Sequence, residues 1–245
     1  MIAALAFAAA LAVAPAAAAD CTVETGAFTW GFKESFRAYI SGSIANGEWS
    51  TEGAIDYATP AFFSEQLGGE VTLAPLAGEL AVEGAMRFTG HDGILDTTIA
   101  NPRLVIESPD RIVIIVDIRG TTQDFVPIDS TAVPFVTGDP GLAEWSVEGS
   151  TLRIDGIPLT LTAEGAEAFG TYPAGEAFDA ITLELDTTAA CAEAAIAART
   201  SAGSAPVLLI VGAVLLAVVG SIVVHLVLRA RRRSRPPTEA ASAVP

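Results

Sequence analysis

The run from Val207 to Leu228, VLLIVGAVLLAVVGSIVVHLVL, is 22 residues long and holds no formal charge. At about 1.5 Å of rise per residue, a helix of that length crosses the ~30 Å hydrocarbon core of a bilayer. Arg229, Arg231, Arg232, Arg233 and Arg235 follow directly. Arginines gathered on one flank stay cytoplasmic, so residues 207–228 read as a transmembrane helix with everything before them outside the cell. His225 lies in the span near the arginine end; it reads as a neutral interfacial residue, with a functional role as the alternative. Residues 229–245 then form a short, basic cytoplasmic tail. At the other terminus, residues 1–19 are apolar, Ala-rich and end in small residues, the pattern of a secretory signal peptide. Residues 20–197 are left to fold outside the membrane. The polar segment 198–206, ARTSAGSAP, serves as a stalk.

This division also splits the charge. The whole chain carries −16. Residues 20–205 hold 8 Lys and Arg against 28 Asp and Glu, a net −20, while the tail has five Arg against Glu239, a net +4. So acidic an external domain excludes a nucleic-acid partner, whose phosphates need a basic surface. With 51% hydrophobic and 17% charged residues, wholesale disorder is excluded too. Two cysteines and two histidines cannot build a Cys₄ or His₃ zinc site. Cys21 and Cys191 stand at the two ends of the external domain. In an oxidising compartment they are expected to pair and close nearly the whole domain into one loop, with two free thiols as the alternative.

Between the cysteines, Phe28–Ile40 suggests a helix, capped by Thr29, with Phe32, Phe36 and Ile40 recurring at i, i+4 and i+8. Ser35 and Tyr39, also four apart, share a neighbouring face. Beyond it the apolar period falls to two. Glu79–Phe88, Ile94–Ile99, Arg103–Glu107, Arg111–Arg119, Trp145–Glu148, Leu152–Ile154, Leu159–Thr162 and Ile181–Leu185 read as strands. Within Arg111–Arg119, Ile112, Ile114, Val116 and Ile118 face one way, and Val113 and Ile115 suggest burial on both faces. Residues 163–169 form a second short helix. The expected fold is mainly β: an antiparallel β-sandwich or open barrel with two short helices, plus the C-terminal transmembrane helix.

Catalytic signatures are absent from the sequence: there is no GxSxG, HExxH, P-loop or GxGxxG pattern. The external domain has one histidine, His91, in a turn between Gly90 and Gly93. On the residues alone, a single histidine in a turn is more often structural or solvated than functional, and a tyrosine such as Tyr39 on an amphipathic helix is usually a core or rim residue.

Three segments add a resemblance. Trp30–Ile40 (WGFKESFRAYI), Phe88–Asp96 (FTGHDGILD) continued by Ile99–Arg103, and Phe169–Asp179 (FGTYPAGEAFD) resemble, in order, the opening, second and closing signatures of the HtaA domain. That domain is the haem-binding module of actinobacterial surface haem-uptake proteins. The resemblance covers residues 27–186 and implies that Tyr39 is the axial ligand of ferric haem and His91 its hydrogen-bonding partner. It further implies that Ser35 reaches a haem propionate and that Phe169 and Tyr172 lie near the haem plane. A tyrosinate is a hard anionic ligand suited to Fe(III), and a histidine donor helps to hold its charge. Lys33 and Arg37 either meet propionates or form a solvent-facing group with Glu34. Trp30 and Trp49 read as packing residues, and Tyr57 is a less favoured alternative ligand.

The function expected from this resemblance is capture of ferric haem at the cell surface and its relay to an uptake transporter. The implied partners are haemoproteins, other haem-uptake proteins or the binding protein of an ABC transporter. No enzymatic activity is expected. The alternatives are a surface β-sandwich that binds glycan or protein without haem, and a hydrolase using paired acids such as Asp92 and Asp96.

Overall fold

Apolar side chains in the middle of this chain must share one interior, and among the described residues twelve strands form around it. They are β1 (Thr22–Trp30), β2 (Glu48–Gly53), β3 (Asp56–Ala58), β4 (Ala61–Leu73), β5 (Leu76–Ala81), β6 (Gly84–Gly90), β7 (Leu95–Ser108), β8 (Arg111–Thr121), β9 (Pro127–Gly138), β10 (Glu144–Glu148), β11 (Thr151–Leu161) and β12 (Ala177–Asp186). Helix α1 spans Glu34–Ser41, α2 spans Ala163–Phe169, and residues 189–200 are also helical. This is a computed structural model, and it describes residues 21–121 and 126–200. The signal peptide (1–19), the membrane span (207–228), the basic tail (229–245) and most of the stalk (198–206) read from the sequence lie outside the described residues. Among the described residues no helix is long and apolar enough to cross a membrane.

All strand pairings are antiparallel. The order β7–β5–β4–β1–β12–β11–β9–β8 returns to β7, so eight strands close a barrel. The expected sandwich or open barrel is therefore corrected. The β7–β8 pairing, which runs from Asp96↔Thr121 to Ser108↔Arg111, seals the ring and leaves those two strands without a free edge. β7 changes partner partway along. Its Leu95–Ala100 half pairs with β6, which carries β2 on its other side, and its Arg103–Ile106 part pairs with β5. At the change of partner Asn101 takes a left-handed φ of 50°. Asp117 on β8 accepts hydrogen bonds from the Asn101 side chain and from the backbone N–H of Ala132, each at 3.0 Å; Ala132 also has positive φ.

On β8, Ile112, Ile114, Val116 and Ile118 are at most 1% exposed and line the interior. Of the two residues read as buried on the opposite face, Val113 is buried and Ile115 only half-buried. Several sequence-level strands merge or divide. Ile94–Ile99 and Arg103–Glu107 join in β7, Leu152–Ile154 and Leu159–Thr162 join in β11, and Glu79–Phe88 divides into β5 and β6.

The first helix is shorter than the sequence suggested. Phe28 and Trp30 belong to β1, where they pair with Leu183 and Ile181 of β12. The turn between strand and helix is made at Phe32, whose φ is +63°. A bulky residue pays for a left-handed conformation. Here Phe32 is fully buried at the centre of a ring cluster, with Trp30, Phe36, Phe88, Phe135, Phe169 and Phe178 at centroid distances of 5.2–6.1 Å. The burial of these rings offsets the backbone cost.

Cys21 and Cys191 form a disulfide that spans 170 residues and ties the start of β1 to the helical segment 189–200. On that segment the Arg199 guanidinium donates to the carbonyls of Gly141 and Ala143 and lies 5.2 Å from the Trp145 ring centroid. β1 runs from this disulfide to the turn that launches α1. At about 3.3 Å per residue, the two ends of β1 lie at most roughly 26 Å apart.

Candidate binding site

Eight residues are too few for a helix to persist alone, so α1 owes its place to packing. Phe36 and Ile40 point into the barrel at 1% and 0% exposure. The same helical spacing puts Ser35 on the outer side and Tyr39, half-buried, one turn further along.

The turn after β6 brings a second group to Tyr39. His91, Asp92 and Gly93 have φ values of 52°, 56° and 87°, three left-handed residues in a row. The His91 backbone N–H donates to the Ala45 carbonyl at 2.6 Å, so the turn is moored to the loop that follows α1. That loop returns tightly, with the Gly47 N–H on the Ile40 carbonyl at 2.8 Å. Only glycine fits at 47, because a Cβ there would stand 1.8 Å from the Thr89 carbonyl oxygen. The result is a hydrogen bond between the Tyr39 hydroxyl and His91 Nε2, with ring centroids 5.8 Å apart. A neutral phenol donates to an unprotonated Nε2, whereas a phenolate accepts from Nε2–H. The pair can therefore hold the oxygen in either protonation state.

The closing segment supplies the rest of the surface. Thr162 caps α2 by accepting the Gly165 N–H at 2.8 Å, and Gly170, with φ 69°, ends the helix. Phe169 is buried, and Tyr172 stacks over it at 6.2 Å with a 16° interplanar angle. The Tyr172 hydroxyl lies 3.2 Å from Ser35 Oγ. Phe36 joins the two halves, with its ring centroid 5.1 Å from Phe169 and 6.3 Å from Tyr39. Ser35, Tyr39, His91, Phe169 and Tyr172 thus gather around one aromatic floor.

Other candidates go elsewhere. Lys33 is held by Glu176 at 2.7 Å and by the Ala177 carbonyl, and sits 5.1 Å from the Tyr172 ring centroid. Arg37 is not solvent-facing: it is 8% exposed and pairs with Asp179 at 3.2 Å. Tyr57 contacts Arg37 through its hydroxyl at 3.4 Å and packs against Phe62 and Trp49. Trp30 is buried, with its Nε1–H on the Asp179 carbonyl. Asp96 is engaged by Arg87 in a bidentate pair at 2.8 and 2.7 Å, and these hydrogen bonds hold its carboxyl below the usual carboxylate range. That is the wrong direction for a general acid near neutrality. Among the described residues no three His, Cys, Asp or Glu side chains gather as a metal site.

Sequence reasoning did not single out Asp179 or Gly47. Asp179 lies within the closing signature, but its partners are more than 140 residues away. Gly47 had no local signal beyond its being a glycine.

The HtaA family model (described as Htaa) matches residues 25–184. Among solved structures, the C-terminal domain of HtaA from Corynebacterium glutamicum is 26% identical, with a TM-score of 0.60, covering 68% of this chain and 99% of that one. The N-terminal domain of HtaA from the same organism is 25% identical, with a TM-score of 0.51 and the same two coverages. The heme-binding protein HtaB from C. glutamicum, 22% identical with a TM-score of 0.51, covers 68% of this chain and 94% of that one, and shares the fold. No curated protein sequence matches the chain. By its match across both the opening and the closing signatures, the chain belongs to the HtaA family.

Proposed function

We propose that this protein is an extracellular, membrane-anchored haem-binding protein that takes ferric haem on the Tyr39 oxygen and passes it to an uptake transporter. The observation that carries this reading is the Tyr39–His91 hydrogen bond on a half-exposed aromatic surface. Membership of the HtaA family supports it.

Haem is the cargo, and its ferric iron needs an anionic oxygen ligand that this chain can supply. A free phenol titrates near pH 10, so Tyr39 must lose its proton to serve. His91 Nε2 is placed to accept that proton and then to donate back to the phenolate. Ser35, one turn before Tyr39, presents its hydroxyl to a propionate. Tyr172, half-buried and backed by the buried Phe169, offers its ring to the porphyrin. One axial ligand leaves the opposite haem face unligated, which favours release to a partner over permanent storage. The protein acts as a binder and not as an enzyme. The apolar run 207–228 and its arginines anchor it with the domain outside the cell.

The reading is tested by titrating the protein with ferric haemin and, in parallel, with a carbohydrate panel. The expected result is a saturable one-to-one haem complex with the visible spectrum of a high-spin ferric tyrosinate. Glycan binding without haem binding would assign the surface to adhesion instead.

A further inference from the structure

Lys33 occupies the N-cap position of α1, but its side chain makes no capping hydrogen bond. The cap comes instead from β12, 145 residues away, where Asp179 Oδ1 accepts the Glu34 backbone N–H at 3.0 Å. Its other oxygen, Oδ2, pairs with Arg37 Nη2 one turn on, at 3.2 Å. The Asp179 backbone is engaged as well: its N–H donates to the Phe32 carbonyl at 3.0 Å and its carbonyl accepts from Trp30 Nε1 at 2.9 Å. One residue therefore holds the end of β1, the left-handed turn, the first helical amide and the second helical turn. Gly31 makes room for it, since a Cβ at that position would meet Asp179 Oδ2 at 2.3 Å and Asp179 Cβ at 3.0 Å.

We propose that Asp179 is a positioning residue for the ligand helix. It fixes the register of α1 along its axis so that the Tyr39 oxygen reaches His91 Nε2, and it does so without touching the ligand itself. Two physical points support this. An eight-residue helix has too few internal hydrogen bonds to fix its own start. The apolar contacts of Phe36 and Ile40 are non-directional and tolerate sliding, whereas an amide cap and a guanidinium pair on one carboxylate do not. Arg37 is nearly buried, so loss of its carboxylate partner leaves a charge inside the protein and drives α1 to shift.

This inference rests on the reading of Tyr39 as the haem ligand, and its test separates the two. Amide hydrogen exchange and ferric haemin titration are run on the full-length protein, on Asp179→Asn and on Tyr39→Phe. In Asp179→Asn, exchange across Glu34–Ser41 should accelerate at least tenfold while the β-strand amides keep their protection. Haemin affinity should fall about tenfold, and the tyrosinate charge-transfer band should shift. In Tyr39→Phe the band should vanish with α1 exchange unchanged. A Tyr39→Phe spectrum like that of the wild type would overturn the haem reading itself. Wild-type α1 exchange in Asp179→Asn, or faster exchange with unaltered haemin affinity and band, would overturn the positioning role. If Asp179→Asn does not fold, the Arg37→Met/Asp179→Asn double variant, which removes the stranded charge, decides by the same two readouts.

Discussion

Ser35 and Tyr172 sit 137 residues apart in sequence and share a hydrogen bond of 3.2 Å between their hydroxyls. The bond ties α1 to the closing segment on the face where Tyr39 lies. Ser35→Ala and Tyr172→Phe each remove the same interaction, worth about 1 kcal/mol. Their effects on thermal stability should therefore not add, and the double variant should match the worse single variant to within about 0.5 kcal/mol. A fully additive loss would show that the two hydroxyls act separately.

His91 shares a hydrogen bond with the Tyr39 oxygen and, on the proposed reading, does not itself ligate iron. His91→Ala should weaken haemin binding about 10- to 100-fold, the usual cost of losing a partner of a ligating group. Without the Nε2–H donor the phenolate is less stable, so the tyrosinate band should form at higher pH than in the wild type. A pH titration of the band in both proteins checks the direction.

Phe32 unites the core. It is fully buried and touches six other rings, and its truncation leaves a cavity in their midst. Phe32→Ala should cost about 3–5 kcal/mol in denaturant unfolding. Such a loss is comparable to much of the stability of an ordinary domain.

Acid should weaken the fold through three carboxylates. Asp117 is held below the usual range by the Ala132 N–H and the Asn101 side chain, Asp96 by Arg87, and Asp155 by Thr182 and Arg153. The unfolded chain protonates these groups near pH 3.9, before the folded one does. Their contribution is therefore complete above that value and lost as pH falls through the lower folded values. Asp117→Asn should lose less stability between pH 5 and pH 3 than the wild type, as read from unfolding curves at each pH.

The disulfide closes almost the entire domain. Chain entropy gives a loop spanning 170 residues a stabilisation of about 5 kcal/mol at most. Reduction should lower the thermal midpoint accordingly, and a midpoint that is insensitive to reductant would show that the unfolded chain is already compact.

The sequence reading succeeded where local chemistry carries the signal. β8 announces itself by alternating isoleucines and valines, whereas Tyr39 and His91 are distinguished by the family resemblance and not by their own residues; the fold joins them by a hydrogen bond. It failed where the deciding partner is remote. Phe28 fits the helical period of Phe32, Phe36 and Ile40, yet β12 and β4 claim it for a strand. The segments that became β1, β2 and β4 are rich in Gly, Thr, Ser and Glu and alternate weakly, so their strands depend on neighbours more than on their own residues. Barrel closure depends on pairings between strands remote in sequence, such as β1 with β12 and β5 with β7, and period-two patterning does not name a strand's partner. For Arg37 the sequence leaves a propionate contact and a solvent-facing group equally open, because its partner, Asp179, is 142 residues away.

The central claim is that the Tyr39 oxygen binds ferric haem, and comparing wild type with Tyr39→Phe tests it most directly. Tyr39→Phe keeps the ring that packs on Phe36 and removes only the oxygen, so the fold should survive. Haemin titration followed by visible absorption should give a saturable one-to-one tyrosinate complex in the wild type. In the variant that spectrum should be lost, with binding at least about 100-fold weaker. Equal affinity and the same spectrum in both proteins would contradict the account.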